Sequence, residues 1–432
     1  MKQYYVALML CSFFIITGCN NEDVFNTPME DKELKTDFSR DIVDVMGIAN
    51  KAINIVEKAS TRSNTAKRVI DPTAIHCVTS PNTRNSEISD TLLYIVNYAD
   101  DKGFAIISGD KRAEGLLGVV EQGNYDGSTN TYAENLGFTT FMDKAKSYVA
   151  SVSGGPDIND KPEWIVLSKT EYDTIYSNKI DPLVGVRWGQ TGIEGKYAPN
   201  GVAGCANIAM GQIMSYFHYP YNISITYPGA SVNSLYLNWT AINSHEVDHF
   251  YQGCQATETA HESISQLIRQ LGYLNESVYK SEPKATSTYA SNVRNSFANL
   301  GYTVSPNLIS YNNESLENTL KNGKLLFMAG THRNETDTVG HGWVVDGVCK
   351  YTIRATTWEK ALNELTWKYV SEYSYSSEYL HYNWGWDGSC NGYFLLSIFS
   401  PGRGKYYDNE EQYSNSSIYN FENEVYYFTV TR

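Results

Sequence analysis

The chain has 432 residues, 42% of them hydrophobic and 13% aromatic, a composition that excludes a disordered protein and exceeds what one core normally organises. Its formal charge of −14 comes without a basic cluster able to neutralise a phosphate backbone, which argues against a nucleic-acid partner.

The N-terminus reads as an export signal. Met1 to Gln3 carry one positive charge, and the mostly apolar run Tyr4 to Ile16 is too short to span a bilayer as a stable helix, so it is expected to be a secretory h-region. Ile16-Thr17-Gly18-Cys19 resembles the lipobox of bacterial lipoproteins. That resemblance implies a signal peptide over residues 1–18, lipid attachment at Cys19, and export to a membrane, outer membrane or cell surface, with release after maturation as a further outcome. Without residues 1–18 and with Cys19 modified, the chain keeps Cys77, Cys205, Cys254, Cys349 and Cys390. An odd count leaves at least one free thiol in an exported protein, and the pairing of the others stays open.

Helical spacing of Val45, Ala49, Ala52, Ile53 and Val56 predicts a helix within 41–60, and strands are expected at 92–97, 104–108 and 116–120. A second helix is expected over 135–152, with Phe138, Phe141, Met142, Ala145, Tyr148 and Val149 on one face, broken by Ser153-Gly154-Gly155-Pro156. These elements predict a small α+β domain ending near residue 155, followed by a linker. Further helices are predicted at 205–217, at 263–271 with Gly272 as its stop, and at 286–300. Strands follow at 325–329, 343–349, 367–373, 379–384, 393–397 and 425–431. Helices first and an antiparallel sheet second give an α+β domain of two halves, with a cleft between them.

Four residues supply a chemistry. Cys205, in Ala-Gly-Cys-Ala at a helix start, feels the helix dipole and unpaired N–H groups that favour thiolate. A cysteine in an Ala/Gly-rich helix is by itself more often a small buried hydrophobe, so the assignment depends on its company. His341, between two glycines before an apolar strand, is placed to act as base. Asn383, in Asn-Trp-Gly-Trp, is expected to orient the imidazole, as the third member of Cys-His-Asn sites does, under cover of Trp384. Gln190, in Trp-Gly-Gln, is expected to donate to an oxyanion beside the Cys205 N–H. Gly340 and Trp386 are expected to line the cleft.

The runs Asp181-Pro182-Leu183-Val184-Gly185-Val186-Arg187-Trp188-Gly189-Gln190, Gly204-Cys205 to Met214, Gly340-His341 to Gly347 and His381-Tyr382-Asn383-Trp384-Gly385-Trp386 resemble the streptopain family of bacterial papain-like cysteine peptidases (family C10). Gly103 to Arg112, with Leu117-Gly118, is similar to that family's propeptide domain. The resemblance implies a papain-like two-lobed domain over 161–432, a tether and inhibitory propeptide over 19–160, a zymogen cleaving proteins or peptides, and no cofactor. It implies Cys205 as nucleophile, His341 as base, Asn383 as orienter and Gln190 as oxyanion donor. Three departures stand out: the polar stretch Thr191 to Gly204 before the nucleophile, the run Ala206-Asn207-Ile208-Ala209 after it, and the long His341 to Asn383 interval, where Tyr351 to Tyr379 is expected to form an extra ribbon.

Two other functions compete. His245-Glu246-Val247-Asp248-His249 fits H-E-x-x-H of zinc peptidases, but Asp248 beside the second ligand and the absence of an apolar helix leading in favour a solvated segment. A non-catalytic surface binding or inhibitory module on the same fold is the other, since a fold alone does not prove activity.

Overall fold

A computed structural model describes residues 38–57, 68–79, 91–127, 135–153, 166–244, 255–282, 284–312, 314–333, 338–361, 366–399 and 425–432. Cys19, Cys254 and the 245–249 motif lie outside these residues.

The N-terminal region is a four-stranded antiparallel meander with two helices. Helix α1 (Ile42–Val56) starts at Asp41, whose carboxylate accepts the Asp44 N–H at 2.8 Å and so satisfies one orphan donor of the first turn. Strands β1 (Ile70–Thr79), β2 (Thr91–Tyr98), β3 (Phe104–Ser108) and β4 (Leu116–Val120) follow, and β3 and β4 are buried throughout. Helix α2 (Leu136–Ser153) lays its predicted face of Phe138, Phe141, Met142, Ala145, Tyr148 and Val149 into the core. Each such large apolar side chain contributes roughly 1.5–3 kcal/mol on burial, which makes this face enough to fix the helix.

The C-terminal region begins with β5 (Val166–Ile180) and then runs through helices: α3 (Gly192–Gly195), α4 (Cys205–Phe217), the hairpin β6 (Asn222–Ser224) and β7 (Ser234–Tyr236), α5 (Trp239–Ser244) and α6 (Gln255–Leu274). A second hairpin, β8 (Val278–Ser281) with β9 (Lys284–Ser287), precedes α7 (Ala290–Asn299). The short β10 (Thr303–Val304), β11 (Ile309–Ser310) and α8 (Glu317–Lys321) lead into the sheet of β12 (Leu325–Arg333), β13 (Thr338–Ala361), β14 (Lys368–Asn383), β15 (Gly392–Leu395) and β16 (Val425–Thr431). A helical half and an antiparallel half are therefore both present, and the class is α+β.

The sheet does not stop at the boundary between the two regions. Its order is β1-β2-β3-β4-β15-β14-β13-β12-β16-β10, with β5 on β13 and β11 on β16, so β4 joins β15 and the two regions share one twelve-stranded sheet. Residues 37–432 form one compact unit.

Several boundaries differ from those the sequence predicts. The expected strands at 367–373 and 379–384 are one strand, β14, and it pairs with a β13 that runs on to Ala361. With β5 on its other side this is the expected ribbon, three strands wide. Gly272 does not end α6; it lies inside the helix, where a Cβ would collide with the Tyr279 hydroxyl. Thr286 belongs to β9, and the helix expected from that position starts at Ala290.

Candidate active site

Helix α4 is buried from Ala206 to Ser215, so it is a core helix whose N-terminus is fixed by packing on every side. Gly204 sits before it at φ +91°, and a Cβ there would come within 2.8 Å of Thr286 Cγ2; both conformation and space require glycine. Cys205, half-buried, is thus the first helical residue, at the end where N–H groups lack intrahelical acceptors. Its Sγ accepts the Gly342 N–H at 3.3 Å. Burial pushes the thiol up, but the His341 charge beside it, with the Gly342 and Ala206 N–H groups, outweighs burial and holds the pKa below the ordinary thiol value. Cys77, Cys349 and Cys390 are also free, and burial raises Cys349 and pushes Cys390 up to about 12, which leaves both inert.

His341 lies near the start of β13, opposite Gly330 of β12, and is 5% exposed. Its Nε2 is 3.0 Å from the Trp384 carbonyl, which can only accept, so Nε2 carries the hydrogen. In the neutral ring Nδ1 then holds the lone pair, and that nitrogen is buried without a hydrogen bond. The ring packs beside two tryptophans that also touch each other: Trp343 lies near-parallel at 6.1 Å between centroids, Trp384 tilted at 6.0 Å, and the two indoles are 5.1 Å apart. Trp384 is fully buried and anchored by its own Nε1–H to the Cys390 carbonyl at 3.0 Å.

Asn383 does not reach the imidazole. It pairs with Val344, three residues past His341, and continuing that antiparallel register brings the chain after Asn383 alongside the histidine. A main-chain carbonyl consequently occupies the place expected for the amide. Asn383 instead joins three segments: Nδ2 donates to the Val186 carbonyl at 3.0 Å, and Oδ1 accepts Gln212 Nε2 at 3.1 Å and the Gly385 N–H at 3.3 Å. These segments carry Gln190, Cys205 and Trp384.

Gln190 is 8% exposed, and its carbonyl accepts the Ala203 N–H at 2.7 Å, which closes the 190–203 loop two residues before Cys205. Its side-chain amide makes no hydrogen bond among the described residues. The polar stretch before Cys205 is therefore a compact loop containing α3, with Ala198 and Gly201 N–H groups bonded back to Gly195 and Ala198. Trp386 is partly buried and its Nε1 has no hydrogen-bond partner, while Gly340 is exposed opposite Thr331. Among the described residues no group of three His, Cys, Asp or Glu side chains is placed to share a metal ion.

One residue at the site was not singled out in the sequence. Gly137, in the first turn of α2, faces His341 and Trp384: a Cβ there would collide with the indole and lie 2.5 Å from His341 Cδ2. Asn135 caps the helix, accepting the Phe138 N–H at 3.1 Å, and donates from Nδ2 to the Ser389 carbonyl at 3.2 Å. The N-terminal region thus touches the imidazole directly. The only signal in the sequence was a glycine inside a helical pattern, where it costs stability relative to alanine.

Among known proteins, residues 173–394 match the family model described as Peptidase C10 family, and residues 44–149 match that described as Spi protease inhibitor. The chain is 23% identical over 348 residues to streptopain of Streptococcus pyogenes, covering 73% of this chain and 76% of that protein. A fragment of Prevotella intermedia prointerpain A with one cysteine changed to alanine is similar at a TM-score of 0.46 and 18% identity, over 83% of this chain and 98% of that one. Active wild-type interpain A cysteine protease from the same organism is similar at a TM-score of 0.36 and 17% identity, over 58% and 94%. Because the first match takes in more than half of the chain, and with it every segment that carries Gln190, Cys205, His341 and Asn383, the protein belongs to the Peptidase C10 family and is a cysteine peptidase with an inhibitor-like N-terminal region.

Proposed function

We propose that the protein is an exported, lipid-anchored endopeptidase made as a zymogen, with 1–18 as signal peptide, Cys19 as the lipidated residue, 19–160 as tether and propeptide, and 161–432 as the enzyme. Cys205 is the nucleophile and His341 the base. The observation that carries this is the Nε2–H bond to the Trp384 carbonyl, which leaves the Nδ1 lone pair for the thiol proton at the head of α4.

The sequence of events follows from these atoms. Nδ1 takes the Cys205 proton; the thiolate attacks the peptide carbonyl; the Cys205 N–H and the Gln190 amide bind the oxyanion; and the imidazolium protonates the leaving amine. A water then hydrolyses the thioester, giving its proton to Nδ1 and restoring the thiol. The Trp384 carbonyl orients the ring, and Asn383 is a positioning residue that ties the three segments together. Contact of Gly137 with His341 supports latency of the uncut chain. The lipid anchor rests on the Cys19 motif alone; among the described residues no helix is long and apolar enough to cross a membrane.

The dyad is tested by the pH dependence of Cys205 alkylation. A lowered pKa means thiolate persists below the ordinary thiol range near ~8.5. We expect the alkylation midpoint below that range, and His341→Ala to move it upward by about a unit or more. An unchanged midpoint in His341→Ala would remove His341 from thiol activation.

A further inference from the structure

The two regions meet along β4 and β15, with Val120 opposite Gly392, Val119 opposite Tyr393 and Gly118 opposite Phe394. The pairing runs on to Glu121, whose N–H donates to the Asn391 carbonyl at 2.9 Å. At this end the Glu121 carboxylate reaches into the peptidase region and divides between two cations: Oε1 lies 3.7 Å from His381 Nε2 and Oε2 lies 3.8 Å from Arg187 Nη2.

Both cations are built into the peptidase fold. His381 is 3% exposed on β14, and its Nδ1 lies 2.6 Å from Oδ1 of the fully buried Asp346. Asp346 is itself held by the Val184 N–H at 2.8 Å. Nε2 of His381 makes no hydrogen bond of ordinary length, and its ion partner is the Glu121 carboxylate. Arg187 has no other ion pair or side-chain hydrogen bond among the described residues, and its stem lies on Gly388, where a Cβ would be 2.8 Å from Arg187 Cδ. The remaining groups around the cluster are the Tyr393 ring, 5.1 Å from the His381 ring, Lys179 5.7 Å above Tyr393 and paired with Asp181 at 2.9 Å, and Arg68, which donates to the Glu121 carbonyl at 3.1 Å.

The charges balance only with Glu121 in place. Asp346 and Glu121 face protonated His381 and Arg187; without Glu121 the buried His381–Asp346 pair remains, and Arg187, whose side chain is 39% exposed, loses its ion partner. Removing Glu121 withdraws one of the two carboxylates that favour the charged imidazole and leaves His381 and Arg187 without the anion they share. Burial works against the charged imidazole, but the Asp346 and Glu121 carboxylates outweigh it and hold His381 at about 9.

We propose that His381 and Arg187 form a carboxylate-binding site on the peptidase region, filled in the uncut chain by Glu121 and opened when the propeptide leaves. Its ligand is an acidic side chain at the end of an extended apolar strand added to the β15 edge, a mode in which main-chain bonds give affinity and the pocket gives selectivity. The Leu116–Glu121 segment, returning to the cut enzyme from solution, is the occupant whose chemistry is already matched. Only the opening step rests on the zymogen reading; the site itself is testable in the uncut chain.

The test follows the His381 proton by NMR of histidine-labelled full-length protein in a Cys205→Ala background, which prevents self-cleavage, with His381→Gln assigning the signal. Glu121→Gln keeps the shape and removes the charge; we expect the His381 midpoint to fall by about a unit or more, a tenfold or larger change. Glu121→Ala leaves room for a small anion, and acetate should restore the midpoint there, whereas chloride at equal ionic strength should not. A midpoint unchanged in Glu121→Gln would mean that Asp346 alone holds the proton, and failure of acetate would mean that the site takes no carboxylate from solution; either overturns the proposal. If Glu121→Ala does not fold, the test passes to folded Glu121→Gln, where an unchanged midpoint overturns the proposal and a fall of about a unit supports it. Since no peptide is cleaved, these outcomes are independent of whether Cys205 is the nucleophile.

Discussion

At the scale of single residues, the site depends on which atom faces His341. A carbonyl, unlike an amide oxygen on a rotatable side chain, is fixed by the backbone that carries it, so the Trp384 carbonyl sets the imidazole tautomer without a side chain of its own. Asn383 then acts at one remove, through three buried hydrogen bonds to the Val186, Gln212 and Gly385 segments. Each such bond is worth about 1 kcal/mol, so Asn383→Ala is expected to cost about 2–3 kcal/mol of stability and to lower kcat, with the pH midpoint for Cys205 alkylation held. Thermal unfolding and alkylation together check this; a variant of unchanged Tm whose alkylation midpoint shifts would restore Asn383 as the direct orienter. The placement of Cys205 at a helix start and of His341 on a strand was legible in the sequence because a glycine precedes each and because an apolar helix and an apolar strand follow them. The partners of Asn383 were not legible, since they depend on a strand register that offsets it three residues from His341.

At the scale of elements, α4 is readable end to end: Gly204, the apolar run and the residues after Phe217 mark the same boundaries that the fold adopts. Strand β5 escaped notice because Val166–Ile180 is mostly Ser, Thr, Tyr and charged residues, without the alternation of a half-buried strand; its order comes from pairing with β13. Gly272 misled for the opposite reason, being a glycine required by packing against Tyr279 and not by a helix end. The turn into α4 yields a sharper expectation. Gly204→Ala must place a side chain at φ +91° against Thr286, which should cost about 1–3 kcal/mol and displace Cys205. Denaturant unfolding measures the first effect and thiol alkylation the second; a variant equal to wild type in both would show that the Gly204 conformation is not what holds Cys205.

At the scale of the whole molecule, the sequence separates two regions that the fold joins through β4 and β15, a pairing between segments remote in the chain that no local pattern announces. The same docking sets Gly137 of α2 on the His341 imidazole, so a larger side chain there must push the helix away. Gly137→Val in the full-length chain is expected to raise precursor activity and the rate of Cys205 alkylation several-fold; equal latency would place the block elsewhere. The central claim, a thiol mechanism at Cys205, is tested most directly by casein hydrolysis after propeptide removal, comparing wild type with Cys205→Ala and adding a thiol alkylator or EDTA to each. The account predicts activity that is lost in Cys205→Ala and on alkylation but kept in EDTA. Activity that survives Cys205→Ala and disappears in EDTA would contradict it and turn attention to His245 and His249.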